Sequence, residues 1–162
     1  MKSLLFSLII GWLFFSSVQT PKVVPAIPEG WKRVEAEMFM TFYLPNDMRL
    51  VSEERCRECA WGSIYLNDRI RLYAEFTSWF SEKGEDYLAK QAEYIKEMAT
   101  IDGNRAKIQS WRLEHAVLEY NRTIHVRIYD SSGELKAKME VLCKEVSDLE
   151  TAKKIFMTIK FR

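Results

Sequence analysis

From Asn104 to Cys143 the chain alternates apolar and polar residues in four short runs: Asn104 to Arg112, His115 to Tyr120, Thr123 to Tyr129 and Leu135 to Cys143. A period of two sends successive side chains to opposite faces of a strand, and short polar turns join strands that pair as sequence neighbours. The stretch therefore predicts an antiparallel meander, and a meander commits the chain to a sheet with one face packed on a core.

The rest of the body supplies the layer that covers it. Met38 to Leu44 is rich in aromatic residues and stops at Pro45, the pattern of a strand with a hard end. Trp61 to Leu66 and Ile70 to Phe80 flank Asn67-Asp68-Arg69. A three-residue loop there would put Ile64 and Leu66 on the same face as Ile70 and Leu72, so a hairpin of that length is expected. In Glu82 to Ala99 the period changes, with Leu88, Ala92, Ile95 and Ala99 at helical spacing, which predicts an amphipathic helix ended by Asp102-Gly103. Ser147-Asp148-Leu149-Glu150 reads as a capping box opening a last helix through about Met157. The expected fold class is α+β, an antiparallel sheet of six or seven strands with a meander, flanked by two main helices.

The amino terminus belongs to a different kind of segment. Lys2, a largely apolar run from Leu4 to Phe15 and the small polar Ser16 and Ser17 have the layout of a secretory signal. The run is shorter than the ~20 residues of a spanning helix. Cleavage after Thr20 would meet Pro21, so residues 1–20 read as a signal peptide or an uncleaved anchor. Residues 21–30 hold three of the four prolines and read as an extended linker. Residues 31–162 then form a single α+β domain. The expected location is exported, periplasmic or extracellular, with membrane attachment only through an uncleaved amino terminus.

Charge narrows the partners. Of 24 basic and 23 acidic residues, residues 1–20 contain only Lys2, so the body is balanced. A nucleic-acid binder carries a basic excess, so no nucleic-acid partner is expected.

Three cysteines invite chemistry. Cys56 and Cys59 stand as Cys-Arg-Glu-Cys in a charged stretch, where an exported protein would form a local disulfide. Arg55 and Arg57 would also stabilise a thiolate, which makes a reversible thiol-disulfide pair the alternative. Zinc held by Cys56, Cys59, Cys143 and His115 or His125 is a further one, but Cys143 shares its strand face with Leu135, Met139 and Val141, opposite the set containing His125. No metal site and no cofactor is assigned. Nor is a catalytic residue: there is no nucleophile elbow, phosphate loop, dinucleotide fingerprint or metalloprotease helix. Trp31, Trp61, Trp79 and Trp111 stand one per element as core anchors, with Trp111, beside Lys107 and Gln109, the one expected to be partly exposed.

The outer face of the meander is the candidate binding surface. Pairing Ile128 with Leu135 would match Val126 with Ala137 and Ile124 with Met139. It would also set Arg127 opposite Lys136 and His125 opposite Lys138, like charges that disfavour pairing. Matching Leu118 with Val126 would place Glu119 opposite His125. His125, Arg127, Tyr129, Lys136 and Lys138 thus form a possible surface for an anionic group or an acidic partner.

The order of elements resembles the PsbP-like group of exported α+β domains, through Phe42-Tyr43-Leu44-Pro45, Ile101-Asp102-Gly103-Asn104-Arg105-Ala106, Ala152-Lys153-Lys154-Ile155 and Thr158-Ile159-Lys160-Phe161. The resemblance runs from about Trp31 to Phe161. It implies a non-catalytic role in partner binding or assembly, here a module of the cell envelope with an unidentified protein partner; it assigns no ligand and no oligomeric state.

Overall fold

A computed structural model describes residues 26–36, 40–54, 61–76 and 85–162. Ten strands and two helices follow in the order β1 (Trp31–Ala36), β2 (Met40–Pro45), β3 (Arg49–Glu54), β4 (Trp61–Leu66), β5 (Ile70–Phe76), α1 (Glu85–Leu88), β6 (Ile95–Ile101), β7 (Asn104–Val117), β8 (Tyr120–Tyr129), β9 (Leu135–Cys143), α2 (Val146–Met157) and β10 (Lys160–Phe161). The strands form a three-stranded sheet, β1-β2-β10, and a seven-stranded antiparallel sheet, β3-β4-β5-β9-β8-β7-β6. The fold is α+β.

The alternation in β8 and β9 decides where the core lies. Ile124, Val126 and Ile128 meet Val141, Met139 and Ala137 across the ladder, all at most 1% exposed. From α2, Ala152, Ile155 and Phe156 close over this apolar face, and β2 adds Met40, Phe42 and Leu44. Phe42 meets Tyr65 of β4 edge to face, with ring centroids 5.9 Å apart, an arrangement that sets a positive ring edge against a negative ring face. At the end of α2 the Thr158 hydroxyl donates to the Ile155 carbonyl and accepts from the Tyr43 N–H, at 2.7 and 2.9 Å, which fastens the helix to β2.

Several sequence expectations are corrected here. Among the described residues there is one main helix, α2, not two. The stretch expected as a long helix over Glu82 to Ala99 contains the single turn of α1 and then β6. β6 pairs with β7 over seven residues, from Ile95↔Ser110 to Ile101↔Asn104. Its helical spacing was coincidental: Ile95 and Met98 are more than half exposed, so no apolar stripe is buried, and ladder bonds decide the state. Asp102-Gly103 turns the chain instead of ending a helix. Both residues have positive φ, +49° and +81°, as a two-residue hairpin turn requires.

His115 to Tyr120 is no separate strand. β7 continues through a register irregularity after Arg112 to Val117, then turns at Leu118-Glu119. In the β4–β5 hairpin the Asn67 N–H donates to the Ile70 carbonyl, so the turn proper is the two residues Asp68-Arg69. An even loop reverses the expected parity, pairing Tyr65 with Leu72 and Ile64 with Tyr73. Helix α2 starts earlier than the expected box. Asp148, not Glu150, reaches back, accepting from the Glu145 N–H at 2.9 Å, while the Ser147 hydroxyl accepts from Arg69. Trp111 is 8% exposed, hence buried.

Candidate functional site: the polar face of the seven-stranded sheet

Residues that alternate with the core set must share the opposite face, and across β7, β8 and β9 they align in rows. Lys107, Arg127 and Lys138 form one row, Gln109, His125 and Glu140 the next, and Trp111, Thr123 and Leu142 a third. The pairing of β8 with β9 therefore differs from expectation by two residues. Arg127 lies opposite Lys138 and His125 opposite Glu140, while Ile128 meets Ala137 and Tyr129 meets Leu135. One residue of the shift comes from the shorter connection, which pairs Tyr129 and not Ile128 with Leu135, and the other from a bulge between Ile128 and Tyr129 that leaves Lys136 as the extra residue. Its ammonium sits 4.1 Å from the centroid of the Phe161 ring in β10 and does not join the row. The structure thus brings His125, Arg127, Tyr129 and Lys138 to one face and draws Lys136 away.

Glu119 is also displaced from its expected place beside His125. At the β7–β8 turn it accepts from Lys144 at 2.9 Å. The partner of His125 is Glu140, whose Oε1 lies 3.3 Å from Nε2. Burial pushes the Glu140 carboxyl up, but neighbouring His125 and Lys138 outweigh it and hold the carboxyl below its ordinary value of 4.5. The His125 ring rests against Trp111, centroids 4.6 Å apart, and Gln109 donates to the Tyr94 hydroxyl at 2.7 Å. Arg105 and Lys107 lie over the face of Tyr129, 5.3 and 5.6 Å from its centroid.

Near the middle of this face, buried polar atoms go unsatisfied. Thr123 Oγ1, both ring nitrogens of His125 and Arg127 Nη1 are buried without a well-directed hydrogen bond. Buried polar groups are normally paired, and each exception calls for an explanation. Arg127 is the strongest case, because its guanidinium is permanently charged and stands between two lysines. A carboxylate or similar anion brought to this row would supply the acceptor that Arg127 Nη1 lacks. Of these features the alternation of Arg105, Lys107, Gln109 and Trp111 with Ala106 and Ile108 was readable. The bulge that sets three cations abreast was not.

The open hollows at the ends of the sheet do not include Arg127 or His125. One of about 600 Å³ is lined by Lys90, Gln91, Arg112, Glu114 and Asn121, and one of about 650 Å³ by Asn104, Arg105, Ser132, Gly133 and Lys136. The cation row lies on a sheet surface, a shape suited to another macromolecule more than to a small enclosed ligand.

Cys56 and Cys59 lie outside the described residues, as do residues 1–25 and Trp79. Cys143 is fully buried on the core side, where burial and then the Asp148 charge push its thiol up to about 12. The sheet itself separates it from His125, so the two cannot share a metal ion. Among the described residues no cluster of metal-ligating side chains occurs and no helix is long and apolar enough to cross a membrane.

No protein-family model and no curated protein matches the chain. Among solved structures it is similar to cyanobacterial PsbP (CyanoP) from Synechocystis sp. PCC 6803, with a TM-score of 0.53 and 15% identity over 82% of this chain and 93% of that one. The chain has a PsbP-like fold.

Proposed function

We propose that this chain is an exported, non-catalytic accessory module of the PsbP type, which binds an acidic protein surface through the polar face of its seven-stranded sheet. The observation that carries this reading is the row Lys107, Arg127 and Lys138, with Arg127 Nη1 buried and unpaired at its centre. Like charges abreast in a ladder oppose folding, and a counter-charge from a partner would offset that cost on binding. Two further points support the reading. The fold is similar to that of a PsbP protein, and Met1 to Thr20 has the layout of an export signal. The module would work in the cell envelope.

The test pairs Arg127→Glu with Lys138→Glu and also uses Lys138→Glu alone, whose half-buried side chain spares the fold if Arg127 does not tolerate reversal. Binding to an acidic peptide is titrated at low and raised salt, with melting curves on each variant. The expected result is native binding that weakens with salt and falls about tenfold or more in the single variant. Equal affinity in native and folded variant chains would sink the proposal.

A further inference from the structure

Asn121-Arg122-Thr123 has the spacing of an N-glycosylation acceptor, with no proline between, and of the chain's asparagines only Asn121 stands in such a pattern. Glu119 stands two residues before it, the place at which bacterial transferases favour an acid. The fold gives Asn121 room for a sugar. It is an exposed residue of β8, just past the left-handed turn at Leu118-Glu119. There the ladder is interrupted: Tyr120 pairs with Val117 and Arg122 with Arg112, and Asn121 falls between them without a register partner. Its side chain borders the open hollow of about 600 Å³, where Lys90, Gln91, Arg112 and Glu114 offer polar groups to sugar hydroxyls. Thr123 supplies an independent observation. It is 1% exposed, and its hydroxyl has no well-directed hydrogen bond. A buried hydroxyl without a partner costs stability, and valine would fill the space without that cost. Packing gives no reason for a hydroxyl at this position, whereas glycan transfer does, because the hydroxyl two residues after the asparagine is part of what the transferase reads.

We propose that Asn121 is the acceptor of an N-linked glycan, transferred from a polyprenyl-diphosphate oligosaccharide as the chain is exported. The Asn121 Nδ2 attacks the anomeric carbon of the donor. A C–N bond forms, the C–O bond to phosphate breaks, the lipid diphosphate leaves with the bonding pair, and the amide gives up one proton. Thr123 is enclosed in the finished sheet, so transfer takes place before β8 closes between β7 and β9. Afterwards the glycan stands at the turn end of β8, six residues and roughly 20 Å from Arg127, and leaves the cation row open to a partner. The proposal rests on the reading of this chain as exported, because such donors are used on the far side of the exporting membrane.

The test expresses the full chain in bacteria that carry an oligosaccharyltransferase and its lipid-linked donor, once with its own amino terminus and once with residues 1–20 replaced by a proven export leader. Intact mass and peptide mapping locate any glycan. The expected result is a glycan on the Asn121 peptide from both forms, abolished in Asn121→Gln and reduced about tenfold or more in Thr123→Val. Thr123→Ser, which keeps the hydroxyl, should retain it. Unglycosylated Thr123→Val should melt no lower than the unglycosylated native chain, which separates loss of the acceptor from loss of the fold. Absence of glycan behind the proven leader would overturn the proposal, as would glycan that survives Asn121→Gln or equal occupancy in Thr123→Val. Glycan that appears behind the proven leader but not with the chain's own terminus supports the acceptor and overturns the export reading instead.

Discussion

The Asp102 carboxylate accepts the backbone N–H of Phe161 at 2.9 Å, joining the β6–β7 turn of the large sheet to the last strand of the small one. Its other oxygen lies 3.3 Å from the Lys160 ammonium. One side chain therefore satisfies an edge amide, pairs a lysine and holds a left-handed turn at φ +49°.

Asp102→Ala should lower stability by about 2 kcal/mol, the worth of a hydrogen bond to a charged acceptor. Asp102→Asn, which tolerates the left-handed turn but lacks the charge, should fall between. Urea unfolding of the full chain measures both, and equal midpoints for native and Asp102→Ala would contradict the linkage.

Cys143 should behave as an apolar side chain. With its thiol pushed up to about 12 by burial, it stays protonated at neutral pH. Mass mapping after treatment with a thiol reagent should find Cys143 unmodified in native protein and modified after unfolding. Cys143→Ser should cost about 1–3 kcal/mol, since the core offers the hydroxyl only a poor partner.

Glu140 makes stability depend on pH with a definite sign. Its carboxyl titrates lower in the folded chain than its ordinary 4.5, so the unfolded chain takes up the proton first. The stabilising contribution is present above 4.5 and is lost as pH falls through the folded value. Melting temperatures read between about pH 6 and pH 3 should drop in the native chain and drop less in Glu140→Gln.

The β7–β8 turn stores strain. Leu118 and Glu119 both have positive φ, +50° and +72°, a region that suits asparagine and glycine and not leucine. Leu118→Asn should stabilise the fold by about 1 kcal/mol while leaving the Glu119–Lys144 pair intact. Guanidinium midpoints would show it; a loss of stability would mean that the exposed Leu118 packs on something in the native chain.

What could be read from residues alone follows from how each element is buried. β8, β9 and α2 were legible because each has one wholly buried face, which writes a clean period into the sequence. β6 was not, because an exposed edge strand has no such face and its ladder bonds leave no trace in residue type. β3, the opposite edge with Leu50 and Val51 exposed, was not anticipated as a strand for the same reason. Within the candidate site, the identity of the outward residues of β8 and β9 was available, but their neighbours were not. A shorter connection and a bulge together shift the register by two residues and keep the apolar faces matched, so Lys138 replaced Lys136 opposite Arg127 and Glu140 replaced Lys138 opposite His125 unseen. Arg127 was found as a cation; that it stands between two others depends on register.

The hold of Thr158 on Tyr43 and of Phe161 on Asp102 has a consequence for timing. Met40 and Phe42 are among the earliest core residues to be synthesised, yet α2 and β10, which cover them, come last. Until about Phe161 has left the ribosome, the small sheet lacks its third strand and the apolar face of the large one lies open. A nascent chain of this design cannot close its core until α2 and β10 have emerged.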